Sequence, residues 1–226
     1  ARWRAFLEAT HVNMNVCRAT VPFYRQFTTT PSWYLPQPYP VEFALAQVRS
    51  HLASRHLNNF DISEKERRPV VYVAGDTVRP DIMAGHLVAK VLQQRYPDLL
   101  IRVTKTPGFP LNTSFLAGTR YEIVPFRPWR QQLRELSQVR LVINTDLWWT
   151  RGRVQVDCAV AGVPCVGTTS DGQTELFPDL SAGESVHVDE IIALAERALT
   201  DEHFRDEVTA RARRRIAQYA FAPTVE

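Results

Sequence analysis

Val139–Phe177 reads VRLVINTDLWWTRGRVQVDCAVAGVPCVGTTSDGQTELF, and the fold of the chain follows from this stretch. Val139–Asn144 and Val163–Thr168 are rich in branched apolar residues and hardly alternate. That pattern marks strands covered on both faces, as in a parallel sheet flanked by helices. Between them, Val154–Ala161 carries small and apolar side chains on nearly every side, as a short helix wedged against a sheet would. Gly162 stops that helix and Pro164 forbids its continuation. Two polar loops, Thr145–Arg153 and Thr169–Glu175, then leave the carboxyl ends of parallel strands, which is the edge where open α/β sheets bind ligands.

Working outward toward the amino terminus, the pattern of alternating strands and helices is clear from Pro69. Strands are expected at Val70–Ala74, Leu99–Val103 and Tyr121–Pro125. Helices are expected at Asp81–Tyr96, where Ile82, Met83, Leu87, Val88, Val91 and Leu92 recur at helical intervals, and at Trp129–Leu136, with Trp129, Leu133 and Leu136 inward. Toward the carboxyl end, Glu184–Val188 reads as a short strand. Asp189 is placed to cap a helix Glu190–Leu199, and Asp201 a last helix His203–Tyr219. Alternating β and α units with short connections imply a doubly wound parallel sheet of the α/β class.

Residues 1–68 do not read as a complete domain. Ala1–Thr10 suits a helix end, His11–Val16 alternates as a strand, and Arg18–Phe27 suits a short helix. Thr30–Pro40 (TPSWYLPQPYP) is too rich in proline for regular helix. Glu42–His56 returns to helical spacing, with Phe43, Ala44, Val48 and Leu52 on one face, and Asn58–Pro69 is polar enough to be a linker. The alternative is an irregular extension packed on the main domain.

The 226 residues suffice for one large domain or one domain with an appendage, and 45% hydrophobic with 23% charged residues is ordinary for a globular protein. The net charge of +3 comes largely from arginine, including Arg67, Arg68, Arg211, Arg213, Arg214 and Arg215. Solvated helix faces account for these; attraction to anionic lipid headgroups or a phosphorylated ligand is the sharper reading. No basic stripe with interleaved aromatics is present, so nucleic acid is not an expected partner. Cys17, Cys158 and Cys165 fit no zinc spacing, and two of them fall in the apolar central helix and strand. A reducing, cytoplasmic setting follows as the simplest expectation. No apolar run is long enough to span a membrane. The six histidines form no metal-ligand cluster. No G-x-S-x-G turn and no G-x-G-x-x-G after the first strand is found, which argues against a serine hydrolase and a nicotinamide dehydrogenase.

The segment QVDCAVAGVPCVGTTSDGQTEL resembles the sugar-nucleotide-binding segment of GT-B-fold glycosyltransferases of the retaining family-4 type. Those show an E-x7-E motif and then a run like EAMACGVPVVATDVGGIPEL. Aligned on Ala161-Gly162-Val163-Pro164, the second motif glutamate falls on Asp157 and the first on Trp149; Asp171-Gly172 and Glu175 take the places of the glycine pair and its glutamate. The resemblance covers element order from about Val12 to Glu226 and is sharp in Val139–Glu175. It implies that residues 1–68 are the remnant of an amino-terminal domain with its crossing linker. Residues 69–226 are then the Rossmann-like domain that holds a nucleotide sugar.

The resemblance also implies roles. Arg79 and Lys105, after the first two strands of that domain, stand where cations meet the diphosphate. Gly152 offers close backbone approach at the central helix start, and Arg153, with Arg151, adds charge there. Asp157 accepts from ribose hydroxyls. Thr169 lines the cleft with Thr168, Ser170 and Gly172, and Glu175 matches the glutamate after the glycine pair. Phe126 and Arg127 stand where relatives seat the base. At Trp149 a carboxylate is exchanged for a ring. The implied reaction is transfer of a sugar from a nucleotide-activated donor to an acceptor glycan, lipid or protein, with retention, without a metal or other cofactor, and with peripheral membrane contact open. The rival readings are a non-catalytic GT-B-like domain kept for assembly or recognition, and a GT-B-type epimerase.

Overall fold

The computed structural model of the chain describes residues 2–35, 38–54, 70–74, 80–108, 111, 113–146, 152–183 and 187–220, with backbone alone at 80–82. The amino-terminal part holds α1 (Arg2–Glu8), β1 (Asn13–Asn15), α2 (Thr20–Arg25), β2 (Ser32–Tyr34) and α3 (Val41–Ala53). There follow β3 (Val70–Val73), α4 (Pro80–Arg95), β4 (Leu100–Lys105), β5 (Tyr121–Pro125), α5 (Trp129–Leu136), β6 (Leu141–Asn144) and α6 (Arg153–Ala161). The series ends with β7 (Cys165–Gly167), α7 (Asp171–Leu176), α8 (Val188–Thr200) and α9 (Glu202–Arg215). Short 3-10 turns lie at Ser114–Leu116, Pro178–Leu180 and Ile216–Tyr219.

Five strands form one parallel sheet in the order β5-β4-β3-β6-β7, with Val71 facing Leu141 and Ile143 facing Val166. The chain winds outward from β3 to β5, then returns to place β6 on the other side of β3. The order reverses between β3 and β6, the kind of point at whose carboxyl edge open α/β sheets bind ligands. The strands beside that point are buried throughout, from Val70, Val71 and Val73 to Leu141, Val142, Ile143, Cys165 and Val166, as their lack of alternation requires. β5 is the edge strand and alternates, with Tyr121 and Ile123 exposed.

α6 sits against the sheet under α3, α5 and α7, and Gln155 to Ala161 are all buried. Each large aliphatic side chain buried this way is worth about 1.5–3 kcal/mol. Gly162 closes the helix in the left-handed region (φ 65), which lets Val163 N–H reach Cys158 O at 2.9 Å. All three cysteines are free and buried.

The amino-terminal β1 and β2 form a separate two-stranded parallel sheet. Around it Trp3, Phe6, Met14, Phe23 and Trp33 are exposed, each more than half open to solvent. The boundary expected near residue 68 falls outside the described residues. No helix among those described is long and apolar enough to cross a membrane.

Four expectations need correction. The stretch expected as the second polar loop is helical from Asp171, because Ser170 caps it by accepting from Gln173 N–H at 3.2 Å. The strand expected at Glu184–Val188 is not formed at its described end: Val188 already begins α8, two residues before the expected start, and the helix carries an inward stripe of Ile191, Ile192, Ala195 and Ala198. His187 therefore occupies the cap position expected of Asp189, which lies in the first turn. In α3 the buried face is Val41, Ala44, Val48 and Leu52, while Phe43 turns aside and packs on Trp129 with ring centroids 6.1 Å apart.

Candidate functional site

At the carboxyl edge, a cavity of about 280 Å³ opens between the sheet and helices α5 and α6. Its mouth is made by Ala74, Thr106 and Phe126 at the ends of β3, β4 and β5, and by Val154 in the first turn of α6. The parallel register sets Tyr72 and Arg102, which line it, side by side, with Glu122 next to Arg102 on β5. Arg102 Nε donates to Glu122 Oε1 at 2.5 Å, and Tyr72 Oη meets Thr104 Oγ1 at 3.0 Å. Arg127 stands 3.5 Å from Glu135 at the α5 side, and both line the cavity. The space is of a size for a nucleoside-scale ligand, with apolar walls and a few fixed polar groups, as small-molecule sites have.

Next to it, α6 begins at Gly152, which is buried and left-handed (φ 74). A side chain there would sit 2.4 Å from Gln155 Oε1 and displace the end of that side chain, and the left-handed backbone itself favours glycine. Arg153, exposed in the first turn, lays its guanidinium over the Trp129 ring at 5.1 Å. Basic charge at a helix start opposes the dipole, so an anion there would relieve it.

Asp157, one turn further, is the most constrained polar group of the region. Its Oδ1 accepts from Tyr39 Oη at 2.5 Å and from Trp129 Nε1 at 2.9 Å. Tyr39 and Trp129 themselves meet edge to face, with ring centroids 5.5 Å apart. Burial pushes the Asp157 carboxyl above the usual carboxylate range; the two donors and the Arg153 charge oppose that shift. Burial, then the neighbouring carboxylate, push the Tyr39 phenol far upward, so it stays protonated and donates.

Of the other expected residues, Thr169 and Glu175 have partners of their own. Glu175 is bonded on both oxygens: Oε1 takes Arg18 Nε at 2.9 Å, and Oε2 takes the Tyr219 phenol. Asp171 accepts the Arg18 backbone N–H at 2.6 Å, so α7 anchors the loop before α2. Thr169 faces Ser181, with hydroxyl oxygens 3.3 Å apart. Lys105 is exposed at the end of β4. Arg79 and Trp149 lie outside the described residues. The fold thus places Gly152, Arg153 and Asp157 on one helix start, with Ser170, the neighbour of Thr169, reaching Gln155 in the first turn of that helix.

Several residues of this edge were not singled out from sequence. Tyr39 and Trp129 supply the donors to Asp157. Gln173 is fully buried and bonds the carbonyls of Cys165, Phe177 and Leu180. Gln155 reaches toward Ser170 and Gln173 from the first turn of α6. Neither glutamine left a signal in the sequence, since each is buried only because groups brought by the fold satisfy its amide. Among the described residues no group of three His, Cys, Asp or Glu side chains stands together to hold a metal.

No protein-family model and no curated protein sequence matches the chain. Solved structures do. The chain is similar to WaaG, a glycosyltransferase involved in lipopolysaccharide biosynthesis, with a TM-score of 0.68 and 15% identity over 89% of the chain and 57% of WaaG. It is similar to Anabaena HepE, solved in complex with UDP and glucose, with a TM-score of 0.67 and 14% identity over 95% of the chain and 61% of HepE. It is similar to the trehalose 6-phosphate synthase of Burkholderia multivorans, with a TM-score of 0.74 and 11% identity over 99% of the chain and 59% of that enzyme. The chain therefore spans 57–61% of the length of these three structures. Its five-stranded parallel sheet and the order of its elements are those of the GT-B glycosyltransferase fold, of which this chain carries a part.

Proposed function

We propose that the chain is the donor-binding part of a glycosyltransferase, moving a sugar from a nucleoside diphosphate to an acceptor glycan, lipid or protein. The observation that carries this reading is the cavity of about 280 Å³ that meets the start of α6 at the carboxyl edge of a GT-B sheet. In the proposed complex the base enters beside Phe126 and Arg127. The diphosphate lies across the α6 start, where the Gly152 turn admits it closely and Arg153 meets its charge; Arg79 and Lys105 are the further cations. Asp157 holds Trp129 and Tyr39 in place through Oδ1 and leaves Oδ2 to accept from ribose. Thr169 and Glu175 complete the α7 side of the cleft, Glu175 chiefly by fixing Arg18.

The chemistry is electrostatic. As the bond from the sugar to the diphosphate breaks, negative charge gathers on the leaving phosphate. Fixed guanidinium groups and helix-start amides stabilise that charge more in the transition state than before it. We infer retention of configuration and no metal cofactor from the motif resemblance. We further propose that residues 1–68 are the tail of an amino-terminal domain; the exposed Trp3, Phe6, Met14, Phe23 and Trp33 support this, since an apolar face of that kind calls for a cover. Acceptor binding then depends on that domain.

Calorimetric titration with UDP, GDP and their glucose conjugates tests the reading. UDP is the first choice because HepE was solved with it. Binding by the chain that weakens in Arg153→Gln supports the assignment; the absence of binding by every member overturns it.

A further inference from the structure

The sheet-edge cavity has a deep end to which the donor reading assigns no contact. From its mouth at Thr106 and Phe126 the cavity runs down the sheet past Thr104 and Val124, which are paired, to Arg102 and Tyr72, paired below them. Each such step of two residues is about 7 Å along a strand. The Arg102 side chain is 10% exposed. Among the described residues its one hydrogen-bond and ion-pair partner is Glu122, which accepts from Nε at 2.5 Å. The two amino groups of the guanidinium have no such partner, and the Tyr72 hydroxyl beside them is engaged with Thr104. Buried donors call for acceptors, and Arg102 lines the cavity, so a ligand there is what these amino groups can meet. Glu122 already meets the Arg102 charge, as Glu135 meets that of Arg127 at 3.5 Å. The deep end is therefore suited to a neutral acceptor, such as a carbonyl oxygen, and not to a further anion.

We propose that Arg102 selects the nucleobase of the donor, admitting bases with a carbonyl oxygen at the edge remote from ribose: O4 of uracil, or O6 of guanine and hypoxanthine. This rests on the donor reading above, with ribose beside Asp157 and the base entering past Phe126 and Arg127. The base then lies over Thr104 and Val124, and its far edge meets the Arg102 amino groups. Cytosine and adenine carry an amino group at that edge. Two sets of donors would face each other, and the buried amino groups of Arg102 would stay unpaired. A site built to hydrogen-bond one group rejects an analogue lacking it far more strongly than an apolar pocket rejects a misfit.

The test is calorimetric titration with two pairs of nucleoside diphosphates, UDP against CDP and inosine diphosphate against ADP, for wild type, Arg102→Met and Arg102→Lys. In any pair that binds, wild type is expected to hold the carbonyl-bearing member about tenfold or more tighter than the amino-bearing one. Arg102→Met should weaken the carbonyl-bearing member and bring the pair level, and Arg102→Lys should keep part of the preference. Melting curves show whether each variant folds; if Arg102→Met does not, the wild-type ratios decide alone. Equal affinity within each pair in wild type, or preference for the amino-bearing member, overturns the proposal and leaves the donor reading standing. So does a carbonyl preference kept in full by a folded Arg102→Met chain. Absence of binding by all four overturns the donor reading, and this inference with it.

Discussion

The phenol of Tyr39 donates to the carboxylate of Asp157 at 2.5 Å, joining side chains 118 residues apart. Both are almost fully buried, and the Trp129 indole gives the same carboxylate oxygen its second bond at 2.9 Å. A Tyr39 N–H bond to Tyr219 O at 2.8 Å fixes the same segment from the other side. The segment before α3 is thereby tied to both α6 and the Ile216–Tyr219 turn that follows α9.

Tyr39→Phe keeps the ring against Trp129 and removes the hydroxyl donor. The net worth of an intramolecular hydrogen bond is about 0.5–1.5 kcal/mol, so the variant should lose that much stability. The check is urea denaturation: the midpoint should fall with the slope unchanged. An unchanged midpoint would mean that the bond does not hold the segment.

Asp157→Asn keeps an oxygen for both donors but cannot ionise. The folded carboxyl titrates above its unfolded value, so its stabilising contribution is fully present below the usual carboxylate pKa of about 4 and is lost as pH rises through the folded value. The melting temperature of the variant relative to wild type should therefore climb as pH rises from about 4 toward neutrality. A difference that stays flat, or that falls, would contradict the upward shift.

Gly152→Ala places a side chain at φ 74 and 2.4 Å from Gln155 Oε1. The left-handed backbone alone costs about 1–2 kcal/mol. Both stability and affinity for nucleoside diphosphates should drop, the latter because the α6 start must shift. Titration calorimetry at a temperature where the variant remains folded separates the two effects; full affinity in a folded variant would remove Gly152 from the phosphate seat.

The Glu175 carboxylate accepts from exposed Arg18 and from buried Tyr219, with Gln218 Nε2 at 3.4 Å as a third, longer contact. The Arg18 side chain is 64% exposed, so that ion pair contributes about 0.2–1 kcal/mol. Tyr219 is 1% exposed, and its phenol depends on the same carboxylate. A double-mutant cycle of Glu175→Ala with Tyr219→Phe should therefore give a larger coupling than one with Arg18→Ala. The reverse order would show that the amino-terminal contact is the stronger one.

The alternation of strands and helices could be read in the sequence because β3, β6 and β7 are buried on both faces and α6 is apolar all round, with Gly162 and Pro164 as plain stop signals. Tyr121–Pro125 and Trp129–Leu136 matched their expected bounds for a different reason: the edge strand alternates, and the helix keeps Leu133 and Leu136 inward. α7 could not be read that way. Asp171, Gln173 and Thr174 look like a solvated loop, yet Gln173 is buried because backbone carbonyls satisfy its amide. A hydrophobic pattern carries no trace of burial achieved by hydrogen bonding. Asp157 stood out as a carboxylate on an apolar helix, but its partners come from Tyr39 and Trp129, which only the tertiary fold brings near.

The most direct measurement is calorimetric titration of the chain with UDP-glucose, beside Arg153→Gln and a phosphate-free buffer control. The account predicts saturable one-to-one binding by wild type, weakened about tenfold or more in the variant through loss of a charged contact to the diphosphate. Absence of heat with UDP-glucose, UDP, GDP and GDP-glucose alike, in a chain that melts cooperatively, would contradict it.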